Sequence, residues 1–227
     1  MKSHLDIPLV QRLISQVRHT VPIDSVRTPF GEPFNRDNHW VRTLAEYSQG
    51  LTDFRESSLH TFHKNFKPAT ILDVVEGVGS NLAGAPPLGS YPWGKWTSRS
   101  GMLQWEKSCH CGPSSDELIE KEWNDFVSLF EKIKSEGFDY RNHGHPLGLF
   151  FVSSSNQKLF IVLGGNHRTA IAKALGIETL RVRLLPRRYL TSQIIRYSKI
   201  SNDPLSKIVF NNIVSENFID WRGGANE

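Results

Sequence analysis

The spacing of hydrophobic residues predicts one long amphipathic helix near the middle of the chain. Its apolar positions recur at intervals of four, three, four and three residues, which places them on one helical face; they are Ile119, Trp123, Phe126, Phe130 and Ile133. Acids are concentrated in the first turns and lysines in the last, as the helix dipole favours. Gly137 ends the pattern, so we expect a helix over 116–136.

The start of this helix carries a capping signal. Ser114 is followed three residues later by Glu117, the arrangement in which a serine hydroxyl and a glutamate side chain satisfy each other's backbone amides. This pattern predicts Ser114 as the residue that caps the helix.

Shorter apolar runs predict strands on both sides of the helix. The expected strands are 21–27, 147–153, 159–163 and 180–185. In the last of these, leucines and a valine alternate with Arg181 and Arg183, which is typical of a strand with one buried face. Beyond it, 189–199 and 205–218 are predicted as helices.

A glycine turn follows the strand 159–163. The chain reads Gly164-Gly165-Asn166-His167-Arg168-Thr169 and continues as a helix pattern to Gly176, so we expect a strand, a sharp turn, Asn166 as N-cap and a helix over 167–175. Cations in the first turn of a helix are unfavourable, because the dipole there is positive. A bound anion would reverse this penalty, and the turn is therefore a candidate phosphate site.

The segment 32–113 is harder to interpret. A helix is predicted over 41–47, and Glu76 opens a glycine-rich stretch at 77–84. Several aromatic residues follow closely, which indicates an ordered loop that covers a site; they are Tyr91, Trp93, Trp96 and Trp105.

Composition narrows the class of protein. The chain has 227 residues, 38% of them hydrophobic, and a formal net charge of +4, which suits anionic small molecules as well as nucleic acid. No run of about 20 apolar residues is present, so no membrane helix is expected. The N-terminus lacks an apolar signal core, and Cys109 and Cys111 are the only cysteines, so we expect a cytoplasmic protein.

The order of these elements, together with the sequence Leu163-Gly164-Gly165-Asn166-His167-Arg168, resembles the ParB/sulfiredoxin superfamily. The resemblance implies an α/β (α+β) fold, a small mixed sheet with helices, in a single domain over 1–227. The family-like core would cover about 20–31 and 114–190. Residues 32–113 would be an aromatic-rich insertion, and 190–218 would form C-terminal helices.

The family's chemistry is nucleotide chemistry. The resemblance implies binding of ATP or CTP with Mg²⁺, through phosphate contacts from Gly164, Gly165, Asn166, His167, Arg168 and Thr169. Sulfiredoxins carry a cysteine where this chain has Asn166, so their thiol chemistry is excluded. ParB proteins add a helix-turn-helix domain, which we do not find in 190–227.

What remains is an ATP-dependent kinase, a phosphotransferase acting on the hydroxyl of a small molecule or a sugar unit of a glycan. His167 and Arg168 would stabilise phosphoryl charge. In the kinase relatives a carboxylate near the end of the first strand serves in catalysis, which favours Glu32; Glu76 is a second candidate because it opens the glycine-rich loop. The alternative is a nucleotide-binding regulatory protein without turnover.

The residues bear on two other functions. The basic stretch 181–199 has no acid within it and would suit nucleic acid, but no aromatic-interleaved RNA-binding motif accompanies it. Cys109, Cys111, His143 and His145 are zinc-ligand types, but their spacing matches no zinc signature, so we predict no structural metal site.

Overall fold

The structure is a computed structural model that describes residues 18–66, 112–152 and 157–185, together with the backbone of 194–196. The strands are β1 (Arg18–Pro22), β2 (Val26–Arg27), β3 (Leu147–Val152), β4 (Lys158–Gly164), β5 (Thr179–Leu184) and β6 (Ile194–Arg196). The α-helices in these ranges are α1 (His39–Ser48), α2 (Ser58–Asn65), α3 (Asp116–Glu136), α4 (Tyr140–His143) and α5 (Asn166–Ala174).

The strands form one mixed sheet in the order β1-β5-β3-β4-β2, with β6 beside β3. The pairs β1–β5 and β3–β4 are antiparallel, whereas β3 runs parallel to both β5 and β6, and β4 parallel to β2. Helices pack against this sheet, so the expectation of a small mixed sheet with helices is confirmed.

The predicted strand 21–27 is wrong as a single element. A 3₁₀ turn at Ile23–Ser25 divides it into β1 and β2, which pair at opposite edges of the sheet. The turn is fixed because the Ile23 amide donates to the Glu178 carbonyl and the Ser25 hydroxyl to the Pro22 carbonyl. Since so short a connection spans at most about 14 Å, the two edges lie close together and the sheet curls toward closure.

The long helix is confirmed as α3, with the predicted apolar stripe buried. Its N-cap is Ser115, whose hydroxyl accepts from the Leu118 amide at 3.4 Å, so the prediction of Ser114 was wrong by one residue. The Ser114 hydroxyl instead lies 3.5 Å from Nδ1 of His63, a side chain of α2. Ser114 therefore joins α3 to α2 and does not cap α3.

The described part of 32–113 belongs to the main core. The helix predicted over 41–47 is α1, and the side chains of Trp40, Leu44 and Leu59 are completely or almost completely buried in the same cluster as those of α3 and the sheet. These residues are thus part of the domain's interior and not an addition to its surface. Residues 67–111, which include Glu76, the glycine-rich stretch and the predicted aromatic loop, lie outside the described residues.

The C-terminal region differs from its prediction where it is described. Within 189–199, predicted as helix, Ile194–Arg196 forms strand β6 against β3. The predicted helix 205–218 lies outside the described residues. Among the helices that the structure does describe, none has the length and apolar character needed to cross a membrane.

Candidate functional site

The site is built at the junction of β4 and α5. Gly165 adopts a left-handed backbone conformation, φ 94° and ψ 29°, which turns the chain sharply and makes Gly165 itself the N-cap. Asn166 is consequently the first helical residue, so its prediction as N-cap was wrong. Gly165 has no side chain with which to cap this helix. The first amides of α5 have no acceptor within the helix, and they offer a cluster of donors in a positive field.

Two residues of the turn are buried. Asn166 is only 6% exposed, and its Oδ1 has no hydrogen-bond partner among the residues described. The hydroxyl of Thr169 donates to the Gly165 carbonyl at 3.0 Å. Thr169 therefore stabilises the turn from within, whereas the Asn166 oxygen is the kind of buried polar atom that calls for an explanation.

The guanidinium group of Arg168 lies over two glycines. A Cβ atom on Gly144 would lie 2.6 Å from its Nη1, and one on Gly165 would lie 3.0 Å from its Nη2. Nη1 donates to the carbonyl of His143, which precedes Gly144. The guanidinium can thus approach the backbone closely because neither glycine has a side chain. Its hydrogen bond to His143 holds it beside the start of α5.

Arg168 is a half-buried cation without a counter-ion in the described structure. Burial lowers the pKa of its guanidinium, yet arginine stays protonated in proteins. No carboxylate among the residues described forms an ion pair with it. A partly desolvated charge at the positive end of a helix is unfavourable unless an anion compensates it.

His167, the other cation candidate of the turn, does have a partner. Its Nε2 lies 3.0 Å from Oε1 of Glu122, a residue of α3, and the same oxygen accepts from the Trp40 indole at 3.4 Å. The second oxygen of Glu122 lies 3.3 Å from Nε2 of His63, whose side chain is 1% exposed. One carboxylate, itself 14% exposed, therefore bridges two histidines from different helices.

The histidines determine the charge of Glu122. Burial opposes ionisation of the carboxyl, but hydrogen bonds and charges from His167 and His63 outweigh it and hold the pKa of Glu122 well below its usual range. The carboxylate also supplies a negative charge near the start of α5. Glu122 therefore compensates the unfavourable placement of His167 in the first turn of α5. No described carboxylate does the same for Arg168.

Glu122 was missed by the sequence interpretation, although a signal was present. It lies three residues after Ile119 and four before Phe126, which places it on the buried stripe of α3. An acid on the apolar face of a helix is costly unless it has partners, and such a position marks a buried polar contact.

Glu32 follows β2 in a tight loop. The Thr28 amide donates to the Glu32 carbonyl at 2.8 Å, and the Glu32 amide donates to the Thr28 hydroxyl at 3.1 Å. Burial raises the pKa of the carboxyl to about 8, against a smaller opposing effect of the Asn38 side chain. Within the described residues Glu32 contacts this loop and the side chain of Asn38.

The predicted site residues are thus only partly brought together. Gly164, Gly165, Asn166, His167, Arg168 and Thr169 form one turn, whereas Glu32 lies in the loop after β2 and Glu76 lies outside the described residues. The described residues contain no group of three or more histidines, cysteines or acids placed to hold a metal ion. For the zinc alternative, Cys109 and Cys111 are not among the residues described.

No protein-family model matches the chain, and no curated protein matches it.

Proposed function

We propose that the turn at Gly164–Thr169 binds the phosphate groups of a nucleotide, and that the protein is an ATP-dependent kinase with the ParB/sulfiredoxin-like fold. The resemblance of the turn and its flanking elements to that superfamily supports the proposal. The single observation that carries it is Arg168, a half-buried cation held at the start of α5 with no carboxylate partner among the described residues.

The chemistry follows from these groups. Phosphate oxygens would accept from the uncapped amides of α5 and from the guanidinium of Arg168, which would also stabilise charge that develops on a transferred phosphoryl group. Glu32 would accept the proton of the acceptor hydroxyl. Its pKa of about 8 is close to neutral pH, where a general base is most effective.

The described carboxylates suit Mg²⁺ only in part. Both oxygens of Glu122 are engaged by histidines and an indole, so this residue does not fit a metal ligand. Mg²⁺ in nucleotide sites is held largely by phosphates and water, with one or two carboxylates, and would neutralise phosphate charge. Of the candidate carboxyls that the structure describes, Glu32 would be left to contact Mg²⁺, and in that role it would not act as the base.

A nucleotide-binding regulatory protein without turnover is the second candidate. It is favoured by the state of Glu122, the carboxylate that contacts the turn, because histidines and an indole already engage both of its oxygens and it cannot act as a base. In this case the turn would bind the nucleotide, but no base would stand beside it.

Calorimetric titration with ATP and CTP, with and without Mg²⁺, tests the proposal. Arg168→Ala should weaken nucleotide binding by at least tenfold, as expected for loss of a charge-assisted hydrogen bond. Lys132→Ala, which removes an exposed charge from α3, is the matched control. Binding that is equal in both variants, or absent from the wild-type protein, would refute the phosphate site.

Turnover separates the two candidates. A kinase should release ADP when a hydroxyl acceptor from a panel of sugars and amino acids is supplied, and Glu32→Gln should lower this rate without weakening ATP binding. Nucleotide binding with no transfer to any acceptor would favour the regulatory protein.

A further inference from the structure

A basic surface lies on the face of strands β1 and β5 that is turned away from the main core. Arg18 pairs directly with Arg183, and Thr20 with Arg181, so these side chains share one face of the antiparallel pair. On the other face, Val21, Leu180 and Val182 are buried in the core. We call the surface formed by Arg18, Arg181 and Arg183 the arginine face.

The segment 143–146 connects the arginine face to the start of α5. At one end, Arg168 donates to the carbonyl of His143. At the other, the Arg183 amide donates to the carbonyl of Pro146 at 2.9 Å. His145 lies between these two contacts, so the guanidinium of Arg168 and the arginine face border the same short stretch of chain.

Aromatic contacts hold this stretch in place. The rings of Tyr140 and His145 are stacked with centroids 5.0 Å apart, and the guanidinium of Arg181 lies 5.8 Å from the Tyr140 ring. The Tyr140 hydroxyl accepts from the Arg181 amide at 2.9 Å. The positions of Arg181 and His145 are therefore coupled through a single side chain.

The local charge is strongly positive. Arg18 and Arg183 stand opposite each other, an arrangement that costs free energy for like charges. In the described part of the chain no acid forms an ion pair with Arg18 or Arg181. Burial, and then the charges of Arg18, Arg183, Arg181 and Arg168, lower the pKa of His145, whose Nε2 is buried without a described partner.

We propose that the arginine face is a second phosphate subsite, continuous with Arg168, and that the ligand is a polyphosphate chain reaching from the start of α5 across His145 to Arg18 and Arg181. This inference rests on the proposed phosphate site at α5 and extends it. Phosphate oxygens match the forked donors of arginine, and several anionic groups in one ligand would neutralise several cations at once.

A short polyphosphate fits the surface better than nucleic acid does. Proteins that bind single strands combine a basic groove with aromatic rings on which bases stack. Here the Tyr140 ring is already covered by His145 and approached by Arg181. The charges of four arginines also act on one residue, His145.

Calorimetry with inorganic phosphate and inorganic tripolyphosphate provides the first test. The wild-type protein should bind tripolyphosphate at least a hundredfold more tightly than phosphate. Arg18→Ala and Arg181→Ala should each weaken tripolyphosphate binding about tenfold and leave phosphate binding unchanged, because each removes one charge-assisted hydrogen bond from the second subsite only. Lys132→Ala is the control for loss of an exposed charge.

Imidazole resonances provide the second test, with assignment by the His145→Asn and His167→Asn variants. An anion on the arginine face offsets the guanidinium charges, so saturating tripolyphosphate should raise the pKa of His145. It should also shift the resonances of His167 at the start of α5. Comparison of ATP with tripolyphosphate identifies the source of the phosphate on the arginine face. If ATP shifts the resonances of both histidines, the phosphates of the nucleotide itself occupy the face. If His145 responds to tripolyphosphate but not to ATP, a separate phosphate compound occupies it.

The results distinguish this inference from the proposed function. If His145 responds while His167 does not, the arginine face binds phosphate and the α5 site fails. The second subsite is refuted if His167 responds, His145 does not, and Arg18→Ala and Arg181→Ala bind tripolyphosphate as tightly as the wild-type protein. Response of His145 to a thymidine oligonucleotide but not to tripolyphosphate would also refute it and would indicate a nucleic-acid surface.

Discussion

The Glu122 carboxylate lies 3.0 Å from the His167 imidazole and so connects the buried face of α3 to the first turn of α5. On its other side the same carboxylate contacts His63, which is almost fully buried. This arrangement gives His167 an internal counter-ion and leaves Arg168 as the charge of the turn that is not compensated in the described structure.

Glu122→Gln should destabilise the protein by about 2 kcal/mol at pH 7, because it removes the negative charge shared by two histidines. Urea unfolding measures the change. Glu120→Gln, an exposed position of the same helix, is the control and should alter stability by less than about 0.5 kcal/mol. Equal effects at both positions would mean that the bridge contributes nothing.

The effect of Glu122→Gln should also depend on pH. The folded pKa of Glu122 is depressed, so its stabilisation is fully present above the unfolded pKa and is lost as the pH falls through the folded value. The difference between wild type and variant should therefore be fully present above about pH 5 and decrease below about pH 4. A difference that grows as the pH falls below about 4 would contradict the assignment.

Gly144→Ala and Gly176→Ala form a matched pair. Both glycines have a positive φ, 74° and 73°, so each substitution should strain the backbone by about 1 to 3 kcal/mol; Gly144, whose ψ is 176°, lies in a region almost restricted to glycine. Only a Cβ on Gly144 meets Arg168, at 2.6 Å, whereas one on Gly176 meets nothing within 4 Å. Thermal unfolding should show a loss of stability in both variants, and only Gly144→Ala should weaken phosphate binding; equal affinities would separate Arg168 from the binding site.

Glu32→Gln should stabilise the protein increasingly as the pH rises. The folded carboxyl keeps its proton up to about pH 8, whereas the ordinary value is 4.5, so the wild-type protein loses stability between these values. The slope is at most about 1.4 kcal/mol per pH unit. Chemical unfolding of both proteins from pH 5 to 8 measures it, with the exposed Glu56→Gln as a reference for loss of a carboxyl. A pH-independent difference would refute the burial of Glu32.

Leu44→Ala should cost about 3 kcal/mol, since the side chain of α1 is completely buried in the main core. Leu118→Ala, at a position 43% exposed on α3, should cost less than about 0.5 kcal/mol. Guanidinium unfolding compares the two. A small effect at Leu44 would mean that α1 is an accessory element and not part of the domain's interior.

Local patterns predicted those elements whose signals are contained in one stretch of sequence. The apolar stripe of α3, the alternation in β5 and the glycine turn before α5 each gave the correct element within a residue or two. The division of 21–27 between β1 and β2 could not be predicted in this way, because it depends on pairing with β5 and β4 at distant positions.

The candidate site was predicted at the level of the turn but not of its partners. His167 and Arg168 have the same charge type and adjacent positions, yet the structure gives Glu122 to one and the His143 carbonyl to the other. This difference arises from the packing of α3 and of the segment before β3. Similarly, Arg18 joins Arg183 only through strand pairing between the first and later parts of the chain.

The two edges of the sheet have a consequence for synthesis on the ribosome. The segment 18–27 leaves the ribosome early, but its partners β4 and β5 are made much later, so neither β1 nor β2 can pair while the chain is short. Such distant pairings slow folding and leave strand edges exposed in the meantime. We therefore expect nascent chains that stop before β5 to depend on chaperones, and the sheet to be completed only after translation has passed Arg196.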